Sequence, residues 1–348
     1  MSDDQLNIES NGLLRTFYIQ EQGSTLRKTG ERLLVEDKEG HIVMDVPSGK
    51  IQQVVILGNC SITTPAIVFC LGKGIPITFL SNRGQYYGRL ISTQNPTAEI
   101  LLNQVNTFQT PSFRLEIAKL FILGKLHNQR TFIERQVREY GSNTVLEESS
   151  LSLAQRMESL STVQSLEELR GVEGSAARSY FQALQGLLPS EWGFHGRVRQ
   201  PPTDPVNSLL SFGYTLLFYN LYSLVEMERM DPFLGYYHDY RAGHPALVSD
   251  LIEEWRSPIV DSLVISIIRK NEITLEDFPG RVIGKPCFLS ADSRKIFIMA
   301  IESKIQSQIQ HPDYEKPLSY RRYQHCQIQS LVKSIREGKI IYQPFLWR

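Results

Sequence analysis

Cysteine is scarce and unpatterned in this chain. Cys60, Cys70, Cys287 and Cys326 are scattered, with no C-x-x-C pair. That argues against a disulfide framework or a zinc knuckle and for reduced thiols. Net charge is missing too, since 37 Lys+Arg face 37 Asp+Glu. Any nucleic-acid surface must then come from local segregation of charge. No apolar run approaches the roughly 20 residues needed to cross a bilayer, so no membrane association is expected. The most apolar stretch, 209–225, is broken by Ser211, Gly213, Tyr214 and Asn220 and reads as a buried helix. The start, Met1-Ser-Asp-Asp-Gln, has neither the basic residues nor the apolar run of a signal peptide, so a cytoplasmic location is expected. Internal repeats, low-complexity segments, a P-loop and an H-E-x-x-H motif are all absent.

What is present divides in two, and 348 residues suffice for two cores. Residues 13–92 read as β-rich, with strands at 14–19, 33–35, 41–44, 51–57, 75–80 and 85–91. Thr64-Pro65 opens one short helix, threonine capping and proline at its first turn. This predicts a small β-sandwich with one inserted helix. Gln94-Asn95-Pro96 marks a change of period, and the pattern beyond is helical. Residues 113–137 form a basic helix, carrying Arg114, Lys119, Lys125, Arg130 and Arg135 on faces that solvation alone would explain. Further helices span 151–188, with a break expected near Gly171. Asp204-Pro205 starts the long apolar helix. The expected architecture is α+β multidomain, with domains at 1–96 and 97–348, the second all-α.

Three places carry candidate chemistry. The stretch 230–256 turns at Asp231-Pro232, presents His238, passes Gly243-His244-Pro245 and enters a helix at about Ala246. On that helix Leu247, Val248, Leu251, Ile252 and Trp255 share one arc, with Asp250 and Glu253 on the other side. An imidazole just before two carboxylates is half of a divalent-metal site. An amphipathic helix with a solvated acidic face is the alternative. Glu173 lies in line with Ala176, Ala177, Tyr180, Leu184 and Leu188, an inward stripe on which a carboxylate needs a cation or donor. Gly171 and Gly174 beside it permit close approach of a backbone or ligand. Alternatively Glu173 is a first-turn acid at a helix start. Finally, Arg197 and Arg199 sit in a stiff loop before a helix N-terminus and can meet phosphate. Asn207, Ser211 and Tyr214 form a polar stripe that either orients ligands or satisfies a core network. His195 and His244 are not favoured as ligands.

The order of these motifs is more specific than any one of them. Glu173-Gly-x-x-Ala-Arg178-x-Tyr-Phe comes first, then Arg197-x-Arg199-x-Pro-Pro-x-Asp-Pro-Val-Asn207. Asp231-Pro-x-x-Gly-x-x-His238 and Leu247-x-x-Asp250-Leu-x-Glu253-x-x-Arg-x-Pro follow. This resembles the CRISPR-associated endonuclease/integrase family of spacer acquisition, "Cas one", over nearly the whole chain. The resemblance implies a dimerising amino-terminal β-sandwich and a helical catalytic domain. It implies a Mg²⁺ or Mn²⁺ site of Glu173, His238 and Glu253, with Asp250 a motif-matching neighbour. Arg178, Arg197, Arg199, Asn207 and Tyr214 match positions that support the site or contact DNA. Two departures stand out. Ala246 replaces the family's usual serine, and Glu253 is an aspartate in some relatives.

The function implied is insertion of short foreign DNA into the CRISPR array by 3′-hydroxyl transesterification. Double-stranded DNA (prespacer and repeat), a homodimer and the small protein "Cas two" bridging two dimers are the implied partners. Basic helices such as 113–138 would line the DNA path. Two other readings stand beside this one: a non-catalytic DNA-binding scaffold, and a metal hydrolase of small phosphoesters.

Overall fold

A computed structural model describes residues 15–348 apart from 83, 93–97, 142, 199, 200, 283 and 313. The chain divides into two compact units, Met1–Pro96 and Thr97–Arg348.

In the first unit β1 (Arg15–Ile19), β5 (Ile51–Leu57), β7 (Ile77–Leu80) and β8 (Tyr86–Leu90) form one sheet in that order. The first three run parallel and β8 runs antiparallel to β7. The second sheet is ordered β4 (Ile42–Pro47), β3 (Arg32–Glu36), β2 (Thr25–Thr29) and β6 (Ser61–Ile62). β5 is buried along its whole length, as a central strand rich in branched residues should be. Ile19 and Ile56 of the first sheet, Leu26 and Val35 of the second, and Ala66 and Cys70 of helix α1 (Thr64–Gly72) share one buried cluster. The strands β2 and β6, which no alternation in the sequence announced, complete the second sheet. Asp37 closes the β3–β4 turn by accepting the amides of Glu39 and His41 at 3.0 and 2.8 Å. Gly40 there has φ +88°.

The second unit is built from helices. They are α2 (Ala98–Phe108), α3 (Pro111–Tyr140), α4 (Thr144–Ser159), α5 (Leu166–Gly186), α6 (Pro205–Met227), α7 (Ala246–Ile252), α8 (Ser262–Arg269), α9 (Ala291–Gln306) and α10 (Tyr320–Glu337). It is not all-α: β9 (Gln308–Ile309) and β10 (Leu318–Ser319) pair as a short antiparallel ribbon. α6 is long and apolar enough to cross a bilayer by length and composition, and 78 % of that window is buried inside the protein. Asp204 caps it through the Asn207 amide at 2.8 Å, as the Asp-Pro pair indicates.

Two helix boundaries differ from expectation. The break expected near Gly171 falls at 160–165, and Gly171 and Gly174 lie inside α5. Ser165 accepts the Glu168 amide at 3.2 Å, and Glu168 accepts the Gln164 amide at 2.9 Å. These two side-chain caps fix the start, and tertiary packing overrides the glycine cost of about 1 kcal/mol each. A Cβ at either glycine would meet nothing within 4 Å, so among the described residues none uses the space they leave. Helix α7 stops at Ile252 instead of carrying on through Trp255. Residues 253–255 form a turn, and a π-helical turn, Arg256–Asp261, follows. That irregular join redirects successive side chains, with consequences for the site.

Candidate metal centre

Four segments of the helical unit converge. Lys125 comes from α3, Glu173 from α5, His238 from the loop after α6, and Glu253 from the turn after α7. Lys125 is buried and stands between the two glutamates. Its ammonium donates to Glu173 Oε1 and lies 2.7 Å from Glu253 Oε2, the two side chains being 7 % and 4 % exposed. Burial works against the Lys125 charge, but the two carboxylates more than offset it and raise its pKa above the ordinary lysine value. Burial likewise pushes Glu253 up, while Arg256 and Lys125 together bring it down to about 2. Arg256 Nη1 reaches Glu253 Oε1 at 2.7 Å. Both oxygens of this buried carboxylate thus face cations, Oε2 the Lys125 ammonium and Oε1 the Arg256 guanidinium.

The loop bearing His238 is fixed from beneath by Asp250. This fully buried carboxylate accepts the amides of Tyr236 at 2.6 Å, Tyr237 at 2.9 Å and His238 at 2.8 Å. It also holds His238 Nδ1 at 2.7 Å. A carboxylate can only accept, so Nδ1 carries the proton and Nε2 is left as the basic nitrogen. Arg114 and Arg170 fasten the loop from α3 and α5. They donate to the carbonyls of Tyr236 and Tyr237 at 3.0 and 3.2 Å, and both reach Asp239, at 3.1 and 2.6 Å. When its ring is protonated, His238 is near enough to lower Glu253 electrostatically. Gly235 lets the loop lie against α7, since a Cβ there would fall 2.7 Å from the Ala246 carbonyl carbon.

A buried polar layer lies behind the acids. Arg256 and Arg197 stack on the Tyr214 ring at 5.1 and 5.3 Å. Tyr214 and Tyr180 donate to the two oxygens of Asp261, each at 2.5 Å. Burial pushes Asp261 up, and both tyrosine hydroxyls are raised by burial and by Asp261 itself.

The structure therefore brings Glu173 and Glu253 onto one ammonium and places His238 beside them on Asp250. Among the described residues no three His, Cys, Asp or Glu side chains lie close enough to hold one ion as they stand. Asp250 and Glu253 do not form a solvated acidic face, because both are buried. Glu173 is mid-helix and not a first-turn acid. Arg197 is committed inward, to Asn207 Oδ1 at 2.8 Å and Ser211 Oγ at 3.0 Å. Asn207 also donates to Gly196 O at 2.8 Å. Arg178 is exposed on α5, and Arg199 lies outside the described residues. His195 is exposed, and His244 meets Ser249 Oγ at 3.1 Å. On α3 the cations expected to line DNA are largely paired internally: Lys119 with Glu116 at 3.0 Å, Arg130 with Glu134 at 2.8 Å.

A family model described as "CRISPR associated protein Cas1" matches residues 17–303. The chain belongs to the Cas1 family. Among Cas1 relatives, "CRISPR-associated endonuclease Cas1 3" of Thermus thermophilus is 36 % identical over 98 % of this chain and 99 % of that protein. A chain of a "Cas6-RT-Cas1--Cas2 complex" superposes with TM-score 0.81 at 24 % identity, over 96 % of this chain and 36 % of that one. A "Casposase bound to integration product" does so with TM-score 0.82 at 20 % identity, over 95 % and 93 %. At such identities the last two likenesses are of fold alone. In this Cas1 chain, the site residues that sequence reading missed are Lys125, Arg256, Asp261, Arg114 and Arg170. One signal was present for Lys125. With Ile117, Phe121, Asn128 and Phe132 it lies on the inward stripe of α3, where a lysine requires an anion.

Proposed function

We propose that this chain is a divalent-metal-dependent DNA endonuclease/integrase that joins short foreign DNA into a CRISPR array by transesterification. The observation that carries the reading is the pair Glu173 and Glu253 converging on one positive charge, beside a histidine oriented by a buried aspartate. The donor set fits a hard divalent cation, Mg²⁺ or Mn²⁺: two carboxylates already converging on one positive charge, and an imidazole whose Nε2 is left to coordinate. Glu173, His238 and Glu253 would hold it, and Lys125 would give way or turn toward phosphate. A bound ion there would polarise the scissile phosphodiester and help activate a 3′-hydroxyl or water.

The chain's own groups account for the remaining requirements. Asp250, Arg114 and Arg170 keep the imidazole aimed. Arg256 and Lys125 keep Glu253 ionised at neutral pH. Arg197, Asn207, Ser211 and Tyr214 support the acids from behind, and Arg178 and Arg199 are left for DNA. The complex in which a structural neighbour was solved supports a "Cas two" partner, and the casposase's integration product supports an integration reaction; double-stranded DNA, prespacer and repeat, is the substrate of this proposal. The amino-terminal unit, with two sheets feeding one core in the manner of a sandwich, is assigned to homodimerisation, and Thr97–Arg348 to catalysis.

The test is an integration assay with labelled DNA and a supercoiled target, using alanine variants at 173, 238 and 253 with and without Mn²⁺ or Mg²⁺. Each variant should lose at least about a hundredfold in rate. Full integration by Glu173→Ala with normal metal dependence would establish a scaffold instead.

A further inference from the structure

Glu253 has a neighbour whose role the metal reading leaves unused. Glu254 is fully buried and faces the opposite way, into the carboxy-terminal tail. Its Oε1 accepts the Tyr342 hydroxyl at 2.6 Å, and its Oε2 accepts the Phe345 amide and the Gln327 side-chain amide, each at 2.6 Å. Trp255 stacks on Phe345 with ring centres 4.1 Å apart and planes 12° from parallel. The Trp255 indole donates to Gln327 at 3.0 Å.

The tail is tied as firmly to α3. Asn128 donates to Glu254 O at 2.8 Å and Phe345 O at 2.9 Å, and accepts the Trp347 amide at 2.7 Å. His127 and Thr131 meet Trp347 O at 3.0 and 3.3 Å. Tyr342, Phe345 and Trp347 are all buried. One face of α3 thus holds Glu253 through Lys125 and, one turn on, holds Glu254 and the tail through Asn128. Gly124 makes the approach possible, since a Cβ there would sit 2.8 Å from the Glu254 side chain.

Glu253 keeps helical dihedrals (φ −56°, ψ −38°) but lies in the turn 253–255 between α7 and the π-helical turn, so where its side chain sits depends on what holds that turn in place. We propose that residues 342–347 are a positioning element of the site: by gripping Glu254 and Trp255 they fix where Glu253 points. The inference rests on the metal-dependent reading, and it makes Tyr342 and Phe345 positioning residues without contact to DNA or ion.

The test uses the full chain with Tyr342→Phe, which removes one donor to Glu254, and Phe345→Ala. Leu26→Ala in the first unit serves as a control that lowers stability away from the site. Mn²⁺ affinity is read by electron paramagnetic resonance, and kcat and KM on branched DNA are measured where guanidinium titration shows each variant folded. Both tail variants should bind Mn²⁺ about tenfold more weakly and lose about tenfold in kcat, with KM for DNA nearly unchanged. Leu26→Ala should keep parental values. Tail variants with parental Mn²⁺ affinity and kcat would overturn the proposal alone. A parent chain that neither binds Mn²⁺ nor cuts or joins DNA would overturn the metal reading with it.

Discussion

Lys125 Nζ lies 2.7 Å from Glu253 Oε2 in the interior of the helical unit, and the same ammonium takes Glu173 on its other side. One cation thus serves two acids. Removing it leaves the buried Glu253, with Arg256 as its remaining cation, facing the part-buried Glu173. Lys125→Met should therefore cost about 3–5 kcal/mol in guanidinium unfolding without added metal. Adding Glu253→Gln should recover part of that loss, a non-additivity that a double-mutant cycle reads. A Lys125→Met chain as stable as the parent would mean that solvent already screens the pair.

Metal should act on the same pair. If Mn²⁺ replaces the ammonium as counter-charge, it should raise the thermal midpoint of Lys125→Met more than that of the parent. Chelation with EDTA should stop cutting and joining by the parent, and Mn²⁺ in excess should restore both. Equal midpoint shifts in the two chains would count against a shared position.

A part-buried lysine behaves oppositely. Lys304 lies over the rings of Tyr320 and Trp347 at 5.5 and 5.8 Å. Burial, then Arg135, lowers its pKa from 10.5 to about 8. Between about pH 8 and 10.5 the unfolded chain holds the extra proton, so folding stability should rise with pH across that window. Lys304→Met should flatten the rise and be more stable than the parent at pH 7. Unfolding midpoints measured every half unit of pH will show whether the slope disappears.

Gly235→Ala tests the seating of the histidine loop. Its new Cβ would lie 2.7 Å from backbone of Ala246 and 2.8 Å from Asp250 Oδ2, neither of which yields cheaply. A stability loss of about 1–3 kcal/mol is expected, with a fall in kcat. A crystal structure of the variant should show His238 displaced from Asp250.

Arg114→Ala with Arg170→Ala removes both ties to Asp239 while leaving every proposed ligand in place. A roughly tenfold to hundredfold loss of kcat is expected, because misplacement by about 1 Å is enough to cost that much. Unaltered kcat would assign the two arginines to the surface. The Asp239 carboxyl, pushed up by burial and held below its ordinary value by Arg170 and Arg114, should return toward that value.

Local signals settled much of this protein from sequence alone. Asp204 before Pro205, the strand alternation ahead of residue 93 and the apolar stripes of the helices each act within a few residues, and they fix elements wherever the rest of the chain lies. The same locality let the ordered motifs point to Glu173, His238 and Glu253. Which charge meets which was decided only by tertiary structure. Lys125 reads as one more cation on a basic helix until α5 and the turn at 253–255 close over it. Where Glu254 points was decided by Tyr342 and Phe345, far along the chain. A buried charge takes its partner from whatever non-local packing brings within hydrogen-bond reach, and no periodicity encodes that choice.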